Sequence, residues 1–283
     1  MKLLAATLLG LAATLALPPA HADTLEDIGK RGAIRLGYSE TKAPFSFKAK
    51  DDGQPAGFAV ELCNRVAVAV VQALKRPSVK VEWVALDPAT RIDAVAAGKV
   101  DIECSTTTAT LSRREKVDFS VPFFADAATL MGRSEKATRI TELQGKRIAV
   151  AGATTTVSSL ERGLRARQVK AEVVRTRSLA QAFEMLKAGE VDAIAGDRTA
   201  LAGTFLIGGG GEGYSVFAED LSYEPYSLVV RKGDTRFRLL VDTVLARLYR
   251  SDDIDALYAK WLLPLGKPSP ALVALYLLNA LPE

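Results

Sequence analysis

The sequence predicts an α/β protein of two similar lobes with a cleft between them. Three observations carry this expectation. First, Gly98-Lys99-Val100-Asp101-Ile102 and Gly189-Glu190-Val191-Asp192-Ala193-Ile194 each follow an apolar-periodic helix and open a strand. Second, the two stretches begin alike, at Gly32-Ala33-Ile34-Arg35-Leu36-Gly37 and at Gly145-Lys146-Arg147-Ile148-Ala149-Val150. Third, strand-like and helix-like segments alternate within each stretch, which implies mostly parallel sheets with helices on both faces. A pattern used twice implies two units, and the cleft between two units is a favoured place for a small ligand.

In the first unit, residues 34–38 form a short apolar strand. Phe58, Leu62, Val66, Val70 and Leu74 recur every four residues, which fits an amphipathic helix over 58–74. A strand over 79–84 and a helix over 90–97 follow, with Gly98 as its stop. A strand over 100–104 completes the unit. The second unit has strands over 147–151, 171–175 and 191–195, and helices over 156–166, 179–187 and 198–205. Ser178 is placed to cap the second of these helices. The chain then returns through one strand over 226–231 and helices over 235–249, 254–261 and 270–280. The glycines at 208–211, with Gly213, read as a flexible turn, because no Lys-Ser/Thr follows as a phosphate loop requires. The apolar tail 272–278 is expected to pack on its own lobe and is too short to span a membrane.

The first 22 residues read as an export signal. Lys2 supplies the positive start, 3–17 is apolar and uncharged, and Ala20-His21-Ala22 is an A-x-A cleavage site before Asp23. The mature chain is expected to begin at Asp23 and to be exported to a bacterial periplasm. No cysteine precedes Cys63, so that signal carries no lipid-modified cysteine. Across the 283 residues, 37 basic and 33 acidic side chains give a net charge of +4, too balanced to argue for nucleic acid.

His21, inside the leader, is the only histidine. The mature chain is therefore expected to use neither Ser-His-Asp nor Cys-His chemistry, nor any histidine-based metal site. Its two cysteines cannot build a four-cysteine zinc site, and no cofactor is expected. Cys63 and Cys104 both fall in the first unit. In an oxidising compartment two such cysteines are expected to pair, two buried free thiols being the alternative.

The best site candidate is Cys104-Ser105-Thr106-Thr107-Thr108-Ala109-Thr110-Leu111-Ser112-Arg113. A run of hydroxyls follows the carboxyl end of a parallel strand, where open α/β sheets bind ligands. It reaches an arginine, whose planar fork suits a carboxylate. The second unit offers a matching loop, Gly152-Ala153-Thr154-Thr155-Thr156, at a helix start that favours an anion. Asp197 follows a strand and is placed to take a cation or to cap a helix. Together the lobes offer groups for both charges of a free amino acid.

At this point the sequence resembles the polar amino-acid periplasmic solute-binding proteins of ABC importers, family 3. The resemblance covers nearly all of the chain beyond the leader. It rests on Gly32-x-Ile34-Arg35-x-Gly37, Ala43-Pro44-Phe45-Ser46-Phe47, Gly57-Phe58-x-Val60-Glu61-Leu62 and Gly98-x-Val100-Asp101. It continues through Arg113-Arg114-x-Lys116-Val117-Asp118-Phe119-Ser120-x-Pro122-Phe123-Phe124, Leu143-x-Gly145-Lys146 and Val191-Asp192-Ala193. Glu224-Pro225-Tyr226, Val230-Arg231-Lys232-Gly233 and Trp261 complete it. The 104–108 segment is most similar to the glutamate/aspartate-binding branch.

The resemblance implies a type II two-lobed periplasmic binding fold, two Rossmann-like lobes joined by two hinge crossings near 124–129 and 224–228. Lobe 1 is then 23–128 with 225–283, and lobe 2 is 129–224. It also implies roles. Arg113 would hold the ligand carboxylate, Thr108 would donate its hydroxyl, and Thr106 would act largely through its backbone. Thr154 and Thr155 would close on the carboxylate from lobe 2, and Asp197 would bind the ammonium. Family members usually carry Gly where Ala153 stands. Lys42 and Arg91 lie where family side-chain pockets form, which favours a polar and acidic ligand. Against this, Ser39 and Leu179 replace an arginine and a histidine of the glutamate/aspartate branch, which leaves glutamine, asparagine or another polar ligand open. Lys42 and Arg91 as solvated rim charges is the plain alternative.

The expected function is thus a monomeric, non-enzymatic binder that captures an L-amino acid and presents it to importer permease subunits. Two other readings are a cyclohexadienyl dehydratase-like enzyme, which needs a general acid such as Glu40 or Glu103, and a ligand sensor without transport.

Overall fold

The computed structural model describes residues 23–207 and 213–282; the leader 1–22 and the turn 208–211 lie outside the described residues. In chain order, helix α1 (Thr24–Arg31) leads into β1 (Ala33–Tyr38) and three short strands, β2 (Thr41–Lys42), β3 (Ser46–Lys48) and β4 (Pro55–Ala56), that form a small sheet of their own. Then come α2 (Phe58–Leu74), β5 (Lys80–Ala85), α3 (Arg91–Ala96), β6 (Ile102–Glu103), α4 (Leu111–Arg114) and β7 (Val117–Phe119). The chain crosses to the other lobe through β8 (Phe124–Asp126) and builds β9 (Ala128–Arg133), β10 (Arg147–Ala151), α5 (Thr155–Ala166), β11 (Glu172–Thr176), α6 (Leu179–Ala188), β12 (Ala193–Asp197), α7 (Arg198–Ile207) and β13 (Tyr214–Val216). It returns through β14 (Glu224–Tyr226) to β15 (Val229–Arg231), α8 (Thr235–Tyr249), α9 (Asp253–Trp261) and α10 (Pro270–Asn279).

Local chemistry sets many of these boundaries. Asp23 caps α1, its carboxylate accepting from Glu26 N at 2.9 Å, and Gly32 stops the helix at φ 73°, a left-handed conformation that glycine adopts without a Cβ penalty. The four-residue stripe of α2 is buried, Phe58, Leu62, Val66 and Val70 all facing the core. Ser178 caps α6 by accepting from Gln181 N at 3.1 Å.

Each lobe holds a five-stranded sheet, ordered β5-β1-β6-β15-β7 in lobe 1 and β11-β10-β12-β9-β13 in lobe 2. Helices cover both faces, and alternation along the strands shows it: Ile148 and Val150 enter one core cluster with Leu160 of α5, whereas Ala149 enters another with Leu179 and Phe183 of α6. In each sheet one strand runs against the rest. It is β15 in lobe 1 and β9 in lobe 2. Each occupies the fourth position, and each is the strand that directly follows a crossing between lobes.

The single strand expected over 226–231 is in fact two. β14 pairs with β8 as an antiparallel hinge ribbon, Glu224 opposite Asp126 and Tyr226 opposite Phe124. Ser227 N then bonds Thr107 O, which breaks the strand before β15 enters lobe 1. Beneath the ribbon, Phe45 packs against Phe58, Phe123, Phe124 and Tyr226 with ring centroids 4.9–6.5 Å apart. Cys63 of α2 and Cys104 after β6 form a disulfide with Cα atoms 6.1 Å apart. The tail helix α10 buries Leu272, Leu275 and Tyr276 in the lobe 1 core. No helix among the described residues is long and apolar enough to cross a membrane.

Candidate functional site

The carboxyl ends of β1, β6, β10 and β12 all open on the cleft between the lobes, the place where strand order makes a crevice. After β6 the chain runs buried through Ser105, Thr106, Thr107 and Thr108. It is sewn to the second crossing, with Ser227 N on Thr107 O at 3.1 Å and Ala109 N on Pro225 O at 2.9 Å. This fixes the loop while leaving side chains free to turn inward. Thr106 Oγ1 and Ser105 Oγ are buried without a protein hydrogen-bond partner.

Two arginines converge here. Arg113 sits on α4, whose start Thr110 caps by accepting from Arg113 N at 3.2 Å. Its guanidinium Nη1 donates to Thr108 O at 2.8 Å. Burial, and then the nearby Arg91 charge, bring Arg113 down to about 10, so it stays protonated at neutral pH. Arg91 opens α3 and is only 5% exposed. Its Nη1 reaches Thr106 O at 3.3 Å and lies 3.9 Å from Glu103 Oε1. Glu103 accepts from Thr107 Oγ1 at 2.7 Å, and burial pushes its carboxyl above the usual range.

Lobe 2 contributes the start of α5 and the end of β12. Ala153 adopts φ +56°, a left-handed conformation uncommon for a residue with a Cβ, and so turns the chain into the helix. Thr154 occupies the cap position without capping: its hydroxyl instead donates to Ala151 O at 2.7 Å. The first amides of α5 therefore have neither an intrahelical nor a side-chain cap partner, and they carry the positive end of the helix dipole. Thr156 Oγ1 reaches Asp197 Oδ1 at 3.4 Å. At the start of α7 the first crossing supplies partners, Asp126 accepting from Thr199 N at 3.3 Å and Ala127 O from Arg198 N at 2.8 Å.

Lys42 is 7% exposed, so the pair Lys42 and Arg91 are not rim charges. Burial lowers the Lys42 ammonium below its ordinary value, and the Asp197 carboxylate partly offsets this. Asp126 is raised to about 6, first by burial and then by the Asp197 charge, although Thr199 Oγ1 and Ala127 N donate to it. Tyr226 OH also donates to Asp126, at 3.1 Å.

Sequence reasoning missed one member of the site. Glu224 is 1% exposed and accepts from Ser222 Oγ, Thr108 Oγ1 and, at 2.8 Å, Thr155 Oγ1. It joins a lobe 1 threonine to a lobe 2 threonine, whose oxygens lie 3.5 Å apart. The signal for it in the sequence is the charged residue of Glu224-Pro225-Tyr226, at the second crossing. The site thus brings together Lys42, Arg91, Thr106, Thr108 and Arg113 from one lobe with Thr155 and Asp197 from the other. Thr154 stands at the start of α5 with its hydroxyl turned back to Ala151 O. Among the described residues no group of three or more metal-binding side chains occurs.

Comparison with known proteins agrees with this architecture. Residues 34–264 match the bacterial extracellular solute-binding proteins, family 3. An L-glutamate/L-aspartate-binding protein of Pseudomonas aeruginosa is 32% identical over 241 residues, covering 84% of this chain and 79% of its own. A glutamate/aspartate import solute-binding protein of Escherichia coli is 25% identical, over 89% of this chain and 83% of its own. Among solved structures, the solute receptor for L-cysteine of Neisseria gonorrhoeae superposes with a TM-score of 0.76 at 26% identity, over 88% of this chain and 98% of its own. An ancestral amino-acid-binding protein described as a precursor of cyclohexadienyl dehydratase superposes with a TM-score of 0.72 at 30% identity, over 84% of this chain and 99% of its own. With its two-lobed α/β fold, its ligand cleft at the strand ends and this match across most of its length, the chain belongs to the bacterial extracellular solute-binding proteins, family 3.

Proposed function

We propose that the protein captures a free L-amino acid with a polar side chain, acidic by preference, and presents it to the permease of an ABC importer. The observation that carries this reading is the opposed pair in one cleft: the Arg113 guanidinium with the uncapped start of α5 on one side, and the buried Asp197 carboxylate on the other. The first two suit a carboxylate and the third an ammonium. Relatives named as glutamate/aspartate-binding proteins support the same class.

A hydroxyl has one proton to give, and those of Thr108 and Thr155 are engaged by Glu224. The strong donors to the ligand carboxylate are therefore the Arg113 guanidinium and the α5 amides. Lys42 and Arg91 favour an anionic or amide side chain and oppose a cationic one. Capture follows hinge closure, in which the ligand binds the closed arrangement better than the open one. The mature chain acts as a periplasmic monomer, with lobe 1 made of 23–128 and 225–283 and lobe 2 of 129–224.

An enzyme reading is disfavoured by the placement of its acids. Glu40 is exposed and lies 3.7 Å from Lys48 Nζ, and Glu103 is sealed beneath Arg91 and Thr107. Calorimetric titration with every L-amino acid tests the proposal. Tight binding of glutamate, aspartate or their amides is expected, with no turnover of prephenate or arogenate. Preference for lysine or arginine, or no binding at all, would overturn it. An importer operon beside the gene would separate transport from sensing.

A further inference from the structure

Gly203 lies in the middle of α7, where glycine is a poor helix former. A Cβ built there would lie 2.7 Å from Ala43 O, 3.0 Å from Pro44 Cδ and 3.2 Å from the Ala43 carbonyl carbon. Those three atoms belong to lobe 1, whereas α7 packs on the lobe 2 sheet through Ala200 and Leu201. The missing side chain is thus what lets a helix of one lobe seat on the backbone of the other.

Neither partner can move aside cheaply. The loop on lobe 1 is clamped, with Phe45 N on Lys42 O at 2.9 Å, Phe58 N on Pro44 O at 3.0 Å and Ala59 N on Phe45 O at 2.9 Å. That clamp needs Gly57, at φ 125°, whose own Cβ would meet Phe45 O at 2.4 Å. On lobe 2 the start of α7 is tied to the first crossing through Arg198 N and Thr199 N. The soft coordinate left between them is the angle between the lobes.

We propose that Gly203 is a positioning residue for ligand capture: its seat on Ala43–Pro44 sets how far the lobes close, and so sets affinity without touching ligand. The seam adjoins the site at both ends. Lys42 immediately precedes Ala43, and α7 immediately follows Asp197. A side chain at 203 holds the lobes apart, and binding weakens by the fraction of closed form lost.

The inference rests on the reading of the cleft as an amino-acid site, and the test keeps the two separable. Gly203→Ala and Gly203→Ser are titrated with L-glutamate by calorimetry, and the dissociation rate is followed by stopped flow. Spin labels at Glu40→Cys and Arg177→Cys, exposed residues that line one cavity of about 500 Å³ at the cleft mouth, report lobe separation. The expected result is a dissociation constant raised at least tenfold, faster release and a depleted short-distance population. The melting temperature without ligand should be unchanged or higher, since alanine is the better helix former. Affinity within twofold of wild type in both variants, or an unchanged short-distance population, would overturn the inference. So would loss of cooperative unfolding in both variants, which would make Gly203 merely structural. If the wild type binds no amino acid, the cleft reading fails on its own, and the ligand-free distance distribution decides. There, an unchanged short population, or none in the wild type, overturns the seam.

Discussion

Arg113 and Lys42 are both lowered by burial, yet they have different consequences. Arg113 keeps its charge at neutral pH, and in the proposed mode of capture it meets the ligand carboxylate, so Arg113→Ala is expected to cost about 2–5 kcal/mol of binding while the fold survives. Asp197→Asn should weaken binding through the ammonium; calorimetry on folded variants checks both. Lys42 weighs on stability instead. Its folded value lies below its ordinary 10.5, so the folded state resists the charged form. The protein should gain stability as pH rises from the lowered value toward 10.5, and Lys42→Met should abolish that gain while relaxing the preference for an acidic side chain. Asp126 runs the other way. Its carboxyl is raised from 3.8 to about 6, so the folded state holds a proton that the unfolded chain releases. Its contribution is complete below pH 4 and is lost as pH rises through 6. Urea unfolding of wild type and Asp126→Asn from pH 4 to 7 should show a steeper loss of stability with rising pH in the wild type, since the raised Glu103 titrates in both; parallel curves would refute it. These pairings were beyond sequence reading, because Lys42, Asp126 and Asp197 lie far apart along the chain and meet only across the hinge.

Among the elements, those with long periodic signals were the legible ones. The bounds of α2 agree with its four-residue apolar stripe, because a buried stripe over many turns leaves little freedom of register. The two- and three-residue strands β2, β3, β4 and β14 have no period to read. The reversed strands β9 and β15 could not be oriented from sequence, since strand direction is decided by where the chain re-enters a lobe. In the site, Arg113 and the threonine loop were legible from their place after a strand. Glu224 was not, because its carboxylate works through hydroxyls more than 60 residues away. Gly203 carries no signal of its own inside the helix expected over 198–205. The Cys63–Cys104 bridge ties α2 to the end of β6 across a separation of 41 residues. Chain-entropy reasoning puts its stabilisation at about 4 kcal/mol. Cys63→Ala/Cys104→Ala should lose an amount of that order in denaturant titration, and the oxidised wild type, unfolded without reductant, should show no reactive thiol.

For the whole molecule, Asp23 is both the expected mature start and the cap of α1, so cleavage after Ala22 leaves the first helix complete. Intact mass of the exported protein should correspond to a chain from Asp23; retention of 1–22 would refute the cleavage site. The crossing strands carry a further consequence, for the order in which the protein is made. Lobe 2 is written as one uninterrupted stretch of gene, whereas lobe 1 is written in two. Its β15 must slide into the lane between β6 and β7, and that lane stays empty until the second crossing has been made. Lobe 2 can then finish as a unit while its neighbour waits with two unsatisfied edges. Segment 127–223 made alone should unfold cooperatively, and a chain stopped at 223 should need a chaperone to stay soluble. A nascent solute receptor of this design is at its most vulnerable just before its last sixty residues arrive.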